Sequence, residues 1–474
     1  MWRILSAPYR QLYYLQLEQY EIARYLRLIF KSFEIDELRQ MLHVTGKLIT
    51  VTAVALGIIT LSTYGAFYAL GAYGTALILV TAYLFFCVPL SIAVLILSPA
   101  DSIAKRVIVR RASRALKAHP NVSVVAIAGS YGKTTMKSVL ASVLKRKLRV
   151  VVTPDSFNTP LGIARTILKE LTNETDVVIL EFGEHYTGDL AFLAHNFPPD
   201  ITIVTGINEA HLERFKTLDR LIDGIFEAVR GTKQDGLVVL NADSPLVMEH
   251  FKEHIGSRET AMYSAENAHR AMHRVVSRTL IEDGSGQRFT LEKAGDGTVD
   301  VEMKLLGGYV PGVASATLIV GDRFKLSETE SVLGLTNALP VPHRLEPIRT
   351  NPDVLVIDDS YNGNPEGVRY AIELLQEFTS RRKVYVTPGL VEGGVKIVGM
   401  HQNIGMQLAG VADVVILVKN SVTPYIEGGL LAKSFKKDAI FWFNSAREAH
   451  SKLKEIVKKG DVVLFQNDWP DNYL

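Results

Sequence analysis

The stretch Gly129-Ser130-Tyr131-Gly132-Lys133-Thr134-Thr135 carries the residue types that handle a phosphate chain. It follows the apolar run Val124-Val125-Ala126-Ile127-Ala128 and opens a segment that reads as a helix. Glycines at these positions let backbone N–H groups close around phosphate oxygens without side-chain obstruction. The N-terminus of the following helix adds a favourable dipole. Lys133 is placed to neutralise phosphate charge, and the Thr134 hydroxyl to hold Mg²⁺. The loop is shorter by a residue pair than the common G-x-x-x-x-G-K-[ST] form. Its setting between an apolar strand and a helix separates it from a chance glycine turn. The predicted ligand is a nucleotide.

Such a loop needs a sheet to carry it. From residue 121 onward, short β-branched runs recur at Val122–Ala128, Arg149–Thr153, Asp176–Phe182, Asp200–Thr205 and Gly236–Leu240, with helical stretches such as 133–146 and 159–172 between them. This alternation predicts an α/β fold with a parallel sheet covered by helices on both faces. Residues 257–330, with turns at Gly284-Ser285-Gly286 and Gly295–Gly297, read as a β-rich insertion. A second series begins near 343, with runs at Val354–Ile357, Lys383–Val386, Asp413–Val418, Ala439–Phe443 and Asp461–Phe465. It predicts a smaller, Rossmann-like C-terminal domain. Ala338-Leu339-Pro340-Val341-Pro342 is the expected linker and hinge.

The first third of the chain is different. Residues 48–97 contain no Asp, Glu, Lys, Arg or His, against the roughly 20 apolar residues needed to cross a bilayer. Glycines 71 and 74 divide the run into 48–70 and 75–97, which predicts two transmembrane helices, with a kink at Pro89 in the second. Basic residues lie on both flanks, among them Arg24, Arg27, Lys31 and Lys47 before and Lys105, Arg106, Arg110, Arg111, Arg114 and Lys117 after. The positive-inside tendency then puts both termini and the catalytic body on the cytoplasmic side of the membrane. Residues 1–47 read as an amphipathic juxtamembrane segment and 98–120 as a basic linker. Residues 121–340 read as the ATP-binding domain and 341–474 as the C-terminal domain. Lys plus Arg total 52 against 50 Asp plus Glu, so no global charge argues for nucleic acid as a partner. One cysteine, Cys87, excludes an intrachain disulfide and a cysteine-rich zinc site. Nothing in the sequence fixes the oligomeric state.

Several separated motifs together resemble the Mur ligase family, closest to its MurF-type branch, over residues 121–474. Gly129–Thr135 is similar to that family's phosphate loop. Thr153–Gly162, with Asn158, is similar to its T-P-x-x-x-N segment. Val178–Gly183 resembles the strand ending in a magnesium-binding glutamate, here Glu181, with Glu184 a weaker rival. Gly206–Glu213 resembles the N-I-x-x-x-H-L-[DE] motif, which implies a metal ligand at His211 and a site-shaping role for Asn208. Leu240–Pro245 resembles an adenine-contacting element, with Asn241 in that role. Pro342–Glu346 resembles G-R-[ML]-E, with Arg344 reaching the nucleotide phosphates. Asp358-Asp359-Ser360-Tyr361-Asn362-Gly363-Asn364-Pro365 resembles the D-D-S-Y-N-A-N-P segment. It implies that Asp359 holds the ribose or hinge and that Tyr361 and Asn362 line the cleft. Pro388–Glu392, followed by His401, resembles the next family loop.

The resemblance implies ATP and Mg²⁺, and an amide ligase that activates a carboxylate as an acyl phosphate. Lys133, His211 and Arg344 would be its catalytic residues. The substrates implied are a carboxylate and an amine from cell-wall precursor synthesis. Three departures qualify this. The membrane hairpin stands where the family has a UDP-sugar-binding domain, so a lipid-linked substrate becomes admissible and membrane lipid a partner. The stretch Ile222–Glu227 lacks the lysine that many members carbamylate, leaving Asp223 or Glu227 to supply the charge. Gly308-Tyr309-Val310-Pro311-Gly312 replaces G-x-H-N-x-x-N, and the segment Asn467–Asp471 lacks the family's glycine-rich close. These departures support an alternative reading, a degenerate ATP-binding homologue serving as a membrane scaffold or regulator.

Overall fold

The computed structural model describes residues 7–31, 42–154, 157–184, 186–208, 215–293, 297–350, 353–361, 363–390 and 397–467. The chain forms two compact units that divide between Val107 and Ile108.

The first unit is helical. Helices α1 (Ala7–Leu17) and α2 (Ile22–Lys31) precede α3 (Gly46–Leu84) and α4 (Cys87–Lys117). Helix α3 is broken at Gly71, whose φ of 66° and ψ of −155° are open to glycine and costly for other residues. The Lys47 ammonium lies 2.9 Å from Asp101 Oδ2, which requires the chain to reverse near Gly71. The turn thus falls where the two glycines predicted it. A second break comes at Phe85–Phe86, ahead of Pro89. Proline clashes with the carbonyl four residues earlier, so the interruption falls at Phe85 and Pro89 sits in the first turn of a new helix. The expected kink within a continuous helix is corrected accordingly. Both α3 and α4 are long and apolar enough to cross a membrane by length and composition. Leu61, Tyr64, Tyr68, Leu70, Tyr73 and Leu77 are exposed.

Residues 98–117 form the continuation of α4, where the sequence suggested a linker. Alanine and arginine favour the helix there. Within the second unit its last turns bury Val109, Ala112 and Leu116 beside Ile163 and Leu193.

The second unit holds two α/β domains. The first sheet has strands β1 (Ser123–Ala128), β2 (Val150–Val152), β3 (Val177–Glu181), β4 (Ile201–Val204), β5 (Leu237–Asn241) and β6 (Glu259–Tyr263). They are ordered β2-β3-β1-β4-β5-β6 and are all parallel. Alternate residues serve opposite faces. Val125 and Ile127 join one core, while Val124, Ala126 and Ala128 join another. The strand order reverses at β1, so its C-terminal end lies at the switch point where open sheets bind ligands.

An antiparallel sheet of β7 (His273–Leu280), β8 (Gln287–Lys293) and β9 (Thr298–Met303) follows. The β-rich reading holds for this part only. Residues 310–323 and 328–336 are helices, because Val313, Ala316 and Val320 form a buried stripe at helical spacing. The last domain has the sheet order β10-β11-β15-β12-β13-β14, with β10 (Glu346–Thr350) antiparallel to β11 (Val354–Asp359). Strands β12 (Lys383–Thr387), β13 (Val414–Val418), β14 (Ile440–Phe443) and β15 (Val462–Gln466) complete it. Helix αC (Pro365–Glu377) follows β11 and packs Val368, Ala371 and Leu375 into its core.

Candidate functional site

The loop after β1 is built for close approach. Gly129 has φ 137° and Gly132 φ 74°, and a Cβ on Gly129 would collide with Thr205. Gly132 ends the loop as the left-handed residue before the helix Lys133–Leu144. Thr205, at the end of β4, donates to the Tyr131 carbonyl and so fixes the loop's tip. Ser130 is buried and its hydroxyl has no partner among the described residues, although its N–H donates to the Gly206 carbonyl. An unsatisfied hydroxyl in a cradle of this kind fits an anion.

Lys133 folds back over the loop. Its ammonium donates to Glu184 at 2.7 and 2.9 Å and to the Gly129 carbonyl. Thr134 Oγ1 donates to Glu181 Oε1 at 3.3 Å, and Asn158 Nδ2 reaches the same oxygen at 3.4 Å. Lys137 Nζ lies 3.0 Å from Glu181 Oε2, both side chains being buried. One helical turn separates Lys137 from Lys133, so the i, i+4 spacing was a signal that the sequence reading passed over. Thr134 and Glu181 offer hard oxygen donors side by side, which suits Mg²⁺.

Above this floor lies a cleft lined by both α/β domains. From the C-terminal domain, Arg344 Nη2 reaches Thr134 Oγ1 at 3.4 Å, and its guanidinium stacks 4.6 Å from the Tyr361 ring. Asp359 accepts from the Leu345 N–H at 3.2 Å. Burial pushes its carboxyl up to about 7, against the pull of the Leu345 N–H and Arg344. A raised carboxyl favours the protonated folded state. Its contribution to stability is therefore full below about pH 4 and is lost as pH rises toward 7. Asp359→Asn is expected to flatten that dependence, read as the difference in melting temperature between variant and wild type from pH 4 to 8.

The structure brings together Gly129–Thr135, Asn158, Glu181, Arg344, Asp359 and Tyr361. Asn208 reaches across to Asn364 at 3.1 Å and to Glu366. Asn241 lines the cleft, but its amide donates to the Thr205 carbonyl at 2.8 Å and accepts from the Asp243 N–H at 3.0 Å. His211, Asn362 and Glu392 lie outside the described residues.

Both proposed lysine substitutes already have hydrogen-bond partners. Glu227 accepts from the N–H groups of Gly188 and Ala191 at 3.0 Å each, capping helix Asp189–Asn196, and Asp223 pairs with Arg230 at 2.8 Å. Glu227→Ala would leave those donors unsatisfied. We expect a loss of about 2 kcal/mol in chemical denaturation with no change in nucleotide affinity. His401 is likewise structural. It is buried, accepts from the Leu390 N–H at 2.9 Å, and is held neutral by burial. Tyr309 belongs to the Gly308–Gly312 segment that replaces the family's G-x-H-N-x-x-N. It meets Tyr370 edge-on at 5.5 Å and packs against the cores of both domains.

Residues 127–315 match the Mur ligase middle domain, and residues 343–466 match the Mur ligase glutamate ligase domain. Together these cover more than half of the chain. The chain belongs to the Mur ligase family. Among its relatives is the UDP-N-acetylmuramoyl-tripeptide–D-alanyl-D-alanine ligase of Bacillus subtilis, 26% identical over 72% of each chain. The ligase of the same name from Mycobacterium bovis is 32% identical over 63% of this chain and 58% of its own. The chain thus spans about three fifths to three quarters of these relatives' lengths. MurF from Thermotoga maritima, solved in complex with ADP, superposes with a TM-score of 0.66 over 77% of this chain and 80% of that one, at 26% identity. The phosphate loop, Glu181 and Arg344 all fall within the matched domains of this family of ATP-dependent ligases.

Proposed function

We propose that this protein is a membrane-anchored, ATP-dependent amide ligase that joins a cell-wall precursor carboxylate to an amine through an acyl phosphate. One observation carries the reading. Lys133, Thr134 and Glu181 from one domain and Arg344 from the next converge on a single glycine loop.

A carboxylate is a poor electrophile, so it must first take the γ-phosphoryl group of ATP, releasing ADP. The two reactants are both anionic. Lys133 and Arg344 offset their repulsion, and the loop N–H groups and Ser130 hold the phosphate oxygens. For Lys133 to act, its ammonium exchanges Glu184 for phosphate, an ion-pair swap within the same loop. Mg²⁺, held by Thr134 and Glu181, would supply charge neutralisation of the phosphate chain. The amine then attacks the acyl carbon, and inorganic phosphate leaves. The linker 338–345 carries Arg344 and lets the C-terminal domain close over the nucleotide, excluding water. The relatives' names supply the substrate class, a muramoyl peptide acid and a D-alanyl-D-alanine amine. The exposed apolar hairpin supports a membrane location and admits a lipid-linked acid.

A second reading is a homologue that binds ATP without turnover. The structural commitments of Asp223 and Glu227 favour it. One experiment separates the two. The enzyme is given ATP, Mg²⁺, D-alanyl-D-alanine, and UDP-linked or lipid-linked muramoyl peptide labelled with ¹⁸O in its carboxylate. The ligase reading requires one ¹⁸O in each phosphate released. Nucleotide binding with no labelled phosphate from either acid supports the second reading.

A further inference from the structure

The hairpin formed by β7 and β8 has no part in the chemistry above, yet it carries a dense set of links to the C-terminal domain. Arg278 Nη2 donates to Glu377, the last residue of helix αC, at 2.8 and 3.0 Å. Asp283, at the hairpin turn, pairs with Arg349 on β10. Just before the hairpin, Glu266 pairs with Arg369 of αC at 3.1 Å. Leu280 packs against the C-terminal core. At the tip, Gly284 has φ 75°, and a Cβ there would lie 2.5 Å from Leu355 Cδ2 on β11. Glycine is needed at that position for both its backbone angle and its close approach.

A second set of links lies at the cleft. There the C-terminal domain meets the phosphate-loop side through Arg344 to Thr134, at 3.4 Å, and through Asn208, which reaches Asn364 at 3.1 Å and Glu366. The connection between the domains, 338–345, has no regular structure that could set an orientation by itself.

We propose that the β7–β8 hairpin is a docking shoulder that holds the C-terminal domain in the orientation the reaction needs, with Arg278 and Asp283 as positioning residues. The inference rests on the ATP-ligase reading. Without the shoulder, Arg344 and Asp359 reach the cleft in a smaller fraction of molecules. Apparent nucleotide affinity falls in proportion to that fraction, while saturating nucleotide still drives closure to completion. The signature is a rise in KM for ATP with kcat preserved.

The test uses the full-length protein in detergent or nanodiscs, as Arg278→Glu, Glu377→Arg and the exchanged pair Arg278→Glu/Glu377→Arg. ADP affinity is measured by calorimetry alongside KM and kcat. Each single reversal is expected to weaken ADP binding and raise KM for ATP by about three- to tenfold, with kcat within about twofold. The exchanged pair is expected to recover to within about twofold of wild type. Single variants that bind ADP as wild type does would overturn the proposal. So would an exchanged pair as impaired as the singles, which would show that the residues act through the fold at large. A wild type that binds no ADP would overturn both this inference and the reading it rests on.

Discussion

Lys133→Ala combined with Glu184→Gln is expected to keep the fold and lose at least about 100-fold in kcat/KM for ATP. The double variant is chosen because the two side chains are one unit. Glu184 is 2% exposed and its carboxylate takes the Lys133 ammonium at 2.7 Å. Removing the lysine alone leaves a buried, uncompensated charge, which costs about 3–5 kcal/mol and would mix an unfolding effect with a catalytic one. Neutralising both members removes that cost and isolates the chemistry. Glu184→Gln alone should bind nucleotide at least as well as wild type, because Lys133 is then released from its rival. Melting curves and steady-state ADP release on the three proteins check the prediction. Full activity in the double variant would show that the phosphate loop works without its lysine.

Glu181→Gln is expected to show two separable losses. The first is stability. Lys137 is 4% exposed and has Glu181 Oε2 at 3.0 Å, so the variant breaks a buried ion pair, at a cost of about 3–5 kcal/mol. The second is the response to magnesium. Glu181 Oε1 already gathers Thr134 and Asn158, and its charge is what would make the pair of oxygens a cation site. Adding Lys137→Met to Glu181→Gln should restore the melting temperature and leave the magnesium response absent. The response is read as the shift in melting temperature with Mg²⁺ and ADP, which is independent of turnover. A double variant that responds to Mg²⁺ as wild type does would remove Glu181 from the metal site.

The strands were legible in the sequence because both faces of each sheet are buried. Runs such as Val177–Glu181 and Val414–Val418 are apolar at every position but the last or nearly so, and loops with glycine or proline bound them. Strand β10 was missed. Glu346-Pro347-Ile348-Arg349-Thr350 lies at the sheet edge, where polar residues and proline are tolerated and no apolar run appears. The helices at 310–336 fall largely in the region 257–330, read as β-rich on its turns at Gly284-Ser285-Gly286 and Gly295–Gly297, whereas Gly312, within a helix, packs tightly against Ala265. In the site, the phosphate loop and the described part of the Asp358–Pro365 segment line one cleft, and each is local in the chain. Lys137 was missed, and Tyr309 stood out only as part of a departing motif, because their contacts arise from tertiary neighbours, Glu181 and the two domain cores. The hydrogen bonds of Asp223 and Glu227 were hidden for the same reason. A carboxylate in sequence shows its charge, and only the fold shows that the Gly188 and Ala191 N–H groups have claimed it.

The most direct test of the central claim is a structure of the full-length protein with Mg²⁺ and a non-hydrolysable ATP analogue. The account predicts the β- and γ-phosphates on the Gly129–Lys133 loop, with Lys133 turned from Glu184 to phosphate. It predicts Mg²⁺ within coordination distance of Thr134 and Glu181, and Arg344 on the phosphate chain. A nucleotide bound elsewhere, or one seated in the cleft while Lys133 stays on Glu184 and the metal avoids Glu181, would contradict it.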